Sequence, residues 1–375
     1  MNLYQQKKTI YFENLDGLRF ICFLLVFFFH SFHTEYNFIK SNYIYEFITD
    51  FIFENGNLGV NIFFVLSGFL ITFLLILEKR NSGHINIKKF WIRRIFRIWP
   101  LFFFCIFFGF IVFPEVKSFF GESPNETANL IYYLSFINNF DIIKNGLPDS
   151  SVLGVLWSIA IEEQFYLIWP IILSFFSIKR YWIPFLIIIV INIIFRSFNH
   201  DYINLEFHTI SCIGDMTVGA IGAWLVSNFS RFKFFITNLS KTKIYFLYIM
   251  FFVFYLFRKE ISSISLIILI IERLLIACLI ILIILEQNYS KNSFYKFSSF
   301  KTISNLGKIT YGLYCLHFIG ILIVITITDK LNINNNLWEV LILETCLALI
   351  ISIFISKISY NYFEKPFLKI KAKFN

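Results

Sequence analysis

The uncharged stretch LGVNIFFVLSGFLITFLLIL occupies positions Leu58–Leu77. An α-helix rises about 1.5 Å per residue, so about 20 apolar residues span the ~30 Å hydrocarbon core of a bilayer. The stretch therefore predicts a transmembrane helix. The whole chain has a matching composition, because 58% of its 375 residues are apolar and 15% are charged, against roughly 45–50% and about 25% in soluble domains. These fractions exclude an ordinary water-soluble enzyme and a disordered chain alike.

The same length criterion gives ten candidate spans, each bounded by charged or turn residues. They run approximately over 18–35, 58–77, 98–113, 153–176, 181–198, 209–228, 243–257, 263–285, 309–328 and 338–361. We therefore predict an all-α fold, a polytopic membrane helix bundle with about ten transmembrane helices. Residues 1–375 are expected to form a single membrane domain with a tail after about residue 365.

The basic residues predict the orientation of the bundle. If the N-terminus is cytoplasmic, most of the 33 Lys and Arg residues fall in cytoplasmic segments, as the positive-inside rule requires. Ten spans then place both termini, including the tail, in the cytoplasm. The net charge of +9 is thus mainly a topology signal, and no nucleic-acid partner is expected. The expected location is the cytoplasmic (inner) membrane.

The six cysteines all fall within predicted spans, and none has CxxC or other metal-ligand spacing. Free cysteine behaves as a small apolar residue. We therefore interpret them as packing residues and expect no metal site.

Ionisable residues inside the predicted spans are the first functional candidates, because such groups are costly in hydrocarbon and usually face a cavity or one another. They are His30, Glu162, Glu163, Asp215, Glu272, Arg273, His317 and Glu344. His30 is the preferred catalytic residue, because an imidazole exchanges a proton near neutral pH and can deprotonate a hydroxyl. It follows Arg19 by eleven residues, which places it roughly 16 Å along the helix.

Structural interpretations compete for the other ionisable residues. His317 could equally be a residue that hydrogen-bonds between helices. Glu272 and Arg273 are adjacent in sequence and point in different directions, so each is expected to pair with a residue elsewhere. Asp215 could line a cavity or contribute only to packing, and Glu344 is expected to be hydrated near the outer surface.

A dense basic segment precedes the third predicted span. On a helix, Arg93, Arg94 and Arg97 lie within a ~100° arc. Guanidinium groups bind phosphate oxygens in pairs, so this face suits a multiply charged phosphate ligand. The competing interpretation is topological, since basic and aromatic residues are common at the cytoplasmic membrane surface.

Several motifs, in order along nearly the whole chain, resemble one family. Leu15–Arg19 followed by His30 resembles the opening of the acyltransferase 3 family, the membrane O-acetyltransferases of bacterial surface glycans. The further motifs are Gly59–Leu70, with Asn61 where that family commonly has Asp; Arg93, Arg94 and Arg97 with Pro100; Trp157–Tyr166; Gly307–Tyr311 with Tyr314 and His317; and Tyr360 with Glu364–Pro366.

The resemblance implies transfer of an acyl group, usually acetyl, from cytoplasmic acyl-coenzyme A to a glycan or glycolipid hydroxyl on the outer face of a bacterial membrane. We expect Arg93, Arg94 and Arg97 to hold the donor phosphates while the pantetheine arm enters a pore between the helices. His30 would act as general base or accept the acyl group itself, with Glu162 orienting the imidazole. Tyr311, Tyr314 and His317 would line the passage or stabilise an oxyanion.

Other function classes remain open from the sequence. A secondary transporter or a glycan flippase would also place carboxylates and histidines in the membrane, and a scaffold for polysaccharide assembly would need no chemistry. Some members of the resembled family carry a fused extracytoplasmic SGNH esterase-like domain, and none is expected here. The chain is therefore expected to act alone or with a separate extracytoplasmic partner.

Overall fold

The computed structural model describes residues 11–374, and its regular elements are all helical. Within these residues nine helices are long and apolar enough to cross a membrane. A bent pair of helices makes a tenth candidate span. We number these ten as spans 1 to 10 in chain order. They are Glu13–Ser31, Leu58–Ser82, Ile87–Phe119, Ser151–Phe175, Ile178–Phe198, Tyr202–Asn228, the pair Ser230–Thr237 and Lys241–Leu256, then Leu266–Tyr289, Thr310–Leu331 and Glu339–Ala372.

Short helices connect the spans. They are Asn37–Lys40, Tyr43–Glu46, Phe47–Ile52, Leu130–Leu134, Asn138–Asn145, Arg258–Ser263, Phe297–Ser299 and Lys301–Gly307. Each of the ten predicted spans has a counterpart, so the predicted polytopic helix bundle is confirmed. The seventh differs most, because its two helices meet at 89°.

Span 3 begins well before the predicted residue 98. The basic segment continues the helix, which starts at Ile87 after Asn86, whose side chain accepts a hydrogen bond from the amide of Lys89. Pro100 lies inside this helix. The apolar window used for prediction excluded the charged turns, although an amphipathic helix extends through them.

Spans 2 and 6 cross with their backbones in contact. A Cβ atom added at Gly68 would lie 1.9 Å from the carbonyl oxygen of Met216, and one added at Gly219 would lie 2.1 Å from that of Val65. Only glycine permits this approach, as is common where membrane helices pack closely. The crossing also brings Asn61 Nδ2 to 3.0 Å from Asp215 Oδ2.

A buried ionic network joins spans 5, 6 and 8. Arg273 Nε lies 2.9 Å from Asp215 Oδ2, and Arg196 Nη2 lies 3.4 Å from Glu272 Oε1. Arg258 completes the network, 3.2 Å from Glu272 Oε1. The predicted structural pairing of Glu272 and Arg273 is therefore confirmed. Buried charges persist in such places because each is paired and hydrogen-bonded.

Two other predictions for single residues have mixed outcomes. Glu344 is buried, at 3% exposure, and accepts a hydrogen bond from Thr328 Oγ1; the expectation that it is hydrated is wrong, because the carboxyl has its hydrogen-bond partner inside the protein.

Four of the six cysteines are buried, as expected of packing residues, whereas Cys278 and Cys346 are exposed.

Candidate active site

A cavity of about 130 Å³ lies between spans 1, 2, 3, 4 and 9. We call it the arginine cavity, because Arg19, Arg94 and Arg97 line it together with one carboxylate, Glu162. Arg19 is near the start of span 1, and the two other arginines are in the first half of span 3. The cavity therefore opens at the end of the bundle where span 1 begins.

Each helix contributes one face to the cavity. Span 4 contributes Ser158, Glu162 and Tyr166, which are spaced four residues apart, and span 9 contributes Tyr311 and Tyr314. Residues three or four apart lie on the same side of an α-helix, which explains why these positions converge.

The guanidinium groups leave donors free for a ligand. The Nε atom of Arg94 is buried without a hydrogen-bond partner, and the side chain of Arg97 lines the same cavity. Arg19 is paired with Asp16, with 2.8 Å between Nη1 and Oδ1. An excess of unpaired guanidinium donors around a cavity suits an anion such as a phosphate.

Arg93 does not belong to this group, contrary to the sequence-based prediction. Its Nη2 atom lies 3.5 Å from Glu78 Oε2, and its Nη1 atom donates to the carbonyl oxygen of Phe374 at 3.1 Å. At 100° per residue, Arg93 lies at one edge of the arc, about 40° from Arg97 and about 100° from Arg94. Its contacts with Glu78 and Phe374 direct its guanidinium group away from the cavity.

The sequence suggested that Glu162 orients His30, but the two side chains do not form a hydrogen bond in the structure. The Oε1 atom of Glu162 accepts a hydrogen bond of 2.6 Å from Ser67 Oγ, which in turn accepts one of 3.0 Å from Tyr166. The hydrogen-bond partner of His30 is instead His317. Glu162 therefore belongs to the arginine cavity.

His30 and His317 form a directed hydrogen-bond chain. His317 Nδ1 lies 2.8 Å from the carbonyl oxygen of Tyr314, and His317 Nε2 lies 3.0 Å from His30 Nδ1. A carbonyl only accepts, so Nδ1 of neutral His317 donates and its Nε2 must accept from His30 Nδ1. The Nε2 atom of neutral His30 is then unprotonated and has no protein partner within residues 11–374.

Aromatic rings hold this pair in place. The planes of the His30 and His317 rings are nearly parallel, with their centroids 5.2 Å apart, and the centroid of the Phe318 ring lies 4.7 Å from that of His30. His317 is fully buried. A fixed tautomer and a fixed ring orientation are what a general base requires.

The two tyrosine hydroxyls are already engaged. Tyr311 donates to the carbonyl oxygen of Ile98 at 2.7 Å. The Tyr314 hydroxyl lies 2.7 Å from Ser158 Oγ, and both lie within hydrogen-bond distance of the carbonyl oxygen of Val155. This arrangement uses both hydroxyl protons, so neither tyrosine has a proton directed at an oxyanion. Both tyrosines line the arginine cavity. This position fits the first of their two predicted roles, lining the passage, and not the second, oxyanion stabilisation.

The arginine cavity does not extend to His30. Its lining includes Tyr314 but neither histidine, so the predicted continuous pore is closed here. Tyr314 connects the two parts, because its carbonyl oxygen accepts from His317 and its ring centroid lies 6.2 Å from the His317 ring. Asp215 is outside the lining and belongs to the ionic network with Arg273.

Five polar residues of this cavity were not predicted from the sequence as lining residues. They are Arg19, Ser67, Ser158, Tyr166 and Thr310. The helical spacing of Ser158 and Tyr166 from Glu162 was a usable signal. Arg19 and Ser67 could not be found in this way, because they come from other helices.

The family model described as an acyltransferase domain matches residues 12–357. The chain belongs to the acyltransferase 3 family. The peptidoglycan O-acetyltransferase OatA of Listeria monocytogenes is 27% identical over 378 residues, which cover 96% of this chain and 56% of the relative. The O-acetyltransferase OatA of Staphylococcus aureus is 27% identical over 337 residues, which cover 84% of this chain and 53% of the relative.

This acyltransferase 3 chain spans little more than half the length of these curated relatives. No solved structure gives a significant match to it.

Proposed function

We propose that this chain transfers an acetyl group from acetyl-coenzyme A to a hydroxyl of a glycan or glycolipid. Family membership and the names of the relatives support acyl transfer. The unpaired Nε atom of Arg94, with Arg97 beside it in the lining, supports a phosphate-bearing donor in the arginine cavity. Glu162, which lines the same cavity from span 4, is a suitable acceptor for an amide N–H of the pantetheine arm.

The observation that carries the proposal is the His30 and His317 chain, which leaves His30 Nε2 unprotonated. In the reaction, Nε2 takes the proton of the acceptor hydroxyl as its oxygen forms a bond to the thioester carbonyl carbon. The carbon–sulfur bond then breaks, and the sulfur takes the proton from the His30 imidazolium. The products are an acetyl ester and the thiol of coenzyme A, and His30 is neutral again.

His317 is a positioning residue in this scheme. Its Nε2 accepts from His30 Nδ1–H and stabilises the imidazolium, but it has no free donor for an oxyanion. The pantetheine arm reaches His30 only if it extends past Tyr314, so a shift of the Tyr314 ring is part of the proposal.

The proposed orientation places the arginine cavity on the cytoplasmic side of a bacterial inner membrane, with both termini cytoplasmic. The support is the distribution of Lys and Arg. The acceptor then lies on the extracytoplasmic side and reaches the chain directly or through a separate partner protein.

The test is transfer of label from [¹⁴C]acetyl-coenzyme A to soluble peptidoglycan glycan strands by the purified protein in vesicles. We expect ester-linked label that depends on His30. A transporter or flippase would leave the thioester intact, and that result would refute the proposal. A burst of coenzyme A release without acceptor would indicate instead that His30 Nε2 accepts the acetyl group before transfer.

A further inference from the structure

A second cavity lies at the opposite end of the bundle. It has a volume of about 680 Å³, within the usual range of ligand sites. Its lining comes from the end of span 1, the loop before span 2, the end of span 5, the start of span 6, the short helix Arg258–Ser263 and the start of span 8. Chain connectivity places all of these on the side away from the arginine cavity. We call it the far cavity.

The charges of the far cavity are balanced. Its lining contains three basic residues and three acidic ones: Arg196, Arg258, Lys259, Glu54, Glu206 and Glu272. They pair with one another, as in the bridges from Arg258 to Glu272 at 3.2 Å and to Glu206 at 3.9 Å. Such a wall offers many hydrogen-bond donors and acceptors without attracting an ion of either sign.

The rim of the far cavity supplies aromatic rings and an unsatisfied acceptor. Phe29 and Tyr202 are 40% and 63% exposed. Asn57 Oδ1 is buried without a partner, while its Nδ2 atom lies 3.5 Å from Glu206 Oε1. A sugar presents hydroxyls that both donate and accept and an apolar C–H face that packs on aromatic rings.

The far cavity is also adjacent to the proposed base. Phe29 precedes His30 in span 1, and the centroids of their rings are 5.1 Å apart. His30 itself does not line the far cavity. A ligand that packs on Phe29 is therefore one ring away from His30, on the side away from the arginine cavity.

We infer that the far cavity binds the acceptor as a neutral polyhydroxylated sugar unit, packed on Phe29 and Tyr202 and hydrogen-bonded to Asn57 and the paired charges. This inference rests on the proposed function and adds the acceptor site and its charge class. A polymer and a lipid-linked sugar would present the same chemistry.

The test compares acceptors of different charge in vesicles that contain the purified full chain. The probes are neutral tetra-N-acetylchitotetraose, its cationic de-N-acetylated form, and an alkyl glycoside of N-acetylglucosamine dissolved in the bilayer. We expect the neutral tetramer to have a KM about tenfold below that of the cationic form, because the wall is already charge-balanced. Acceptance of only the alkyl glycoside would also support the inference and would identify a lipid-linked source.

Two variants locate the acceptor in the far cavity. Tyr202→Ala should raise the acceptor KM about tenfold through loss of ring packing, while Tyr202→Phe retains it. Tyr43→Ala, which removes a tyrosine that is 77% exposed and outside both cavities, is the matched control and should have no effect. If Tyr202→Ala does not fold, Lys259→Glu at an exposed position should shift the preference toward the cationic tetramer.

The outcomes separate the two proposals. Normal transfer with an unchanged acceptor KM in Tyr202→Ala and an unchanged charge preference in Lys259→Glu would overturn the inference and leave the proposed function standing. Absence of any acetyl transfer from acetyl-coenzyme A by the wild-type protein would overturn the proposed function and the inference with it.

Discussion

The arginine cavity and the far cavity share a membrane bundle but differ in charge. The first has three arginines and one carboxylate in about 130 Å³, whereas the second has three bases and three acids around about 680 Å³. In the first, the Nε donor of Arg94 lacks a partner; in the second, the charges pair with one another. A count of charged residues therefore does not identify a ligand, whereas the pairing of those charges does.

The largest effect expected from a single substitution is at the boundary between the cavities. His30→Ala should lower kcat by about 10³-fold, because general base catalysis contributes 10²–10⁴. Binding of acetyl-coenzyme A, measured by equilibrium dialysis, should stay unchanged. His33→Ala is the matched control, because His33 is exposed and lines neither cavity. Equal activity of the two variants would remove His30 from the chemistry.

Arg97→Ala should weaken the donor site selectively. Loss of one charge-assisted contact to phosphate should raise the KM for acetyl-coenzyme A by about 10- to 100-fold. The acceptor KM should remain within twofold, because Arg97 is at the opposite end of the bundle from the far cavity.

Arg93→Ala provides the control for Arg97. Arg93 pairs with Glu78 and lies outside the arginine cavity. Its removal should leave the donor KM within about twofold of wild type, although the protein becomes less stable by up to about 1 kcal/mol. A donor KM that rises equally in both variants would mean that the phosphates bind outside the arginine cavity.

The sequence predicted the bundle well because span length and charge distribution depend on local composition. It also singled out Arg94, Arg97, Glu162 and the two tyrosines, which the structure brings together around the arginine cavity, whereas His30 lies outside the lining of that cavity. It failed where the partner comes from another helix: Glu162 pairs with Ser67, and Asp215 with Arg273. Such pairs depend on crossings such as that of Gly68 with span 6, which no local pattern specifies.

His317 tests whether the histidine pair acts as a unit. His317→Phe removes the acceptor for His30 Nδ1–H and should lower kcat about 10- to 100-fold, as loss of a partner behind a functional histidine does. His317→Gln offers a carbonyl oxygen in its place and should recover much of that loss. If His317 were only structural, kcat would be higher in His317→Phe than in His317→Gln, because Phe fits an apolar surrounding better than Gln does.

The smallest expected effect is that of salt on the KM values of the two substrates. Raising ionic strength from 0.1 to 1 M shortens the Debye length from about 10 Å to about 3 Å. The KM for acetyl-coenzyme A should therefore rise severalfold, whereas the KM for a neutral tetrasaccharide should hardly change. A matching salt dependence for both substrates would contradict the assignment of charge to one cavity and charge balance to the other.

We propose that donor and acceptor reach His30 from opposite ends of the bundle. Proteoliposomes of fixed protein orientation test this arrangement, with acetyl-coenzyme A added on one side and a membrane-impermeant neutral tetrasaccharide enclosed on the other. We predict acetylated tetrasaccharide only when the donor is on the side of the arginine cavity and the acceptor on the opposite side. Efficient acetylation with both substrates confined to one side would contradict delivery of donor and acceptor from opposite ends of the bundle.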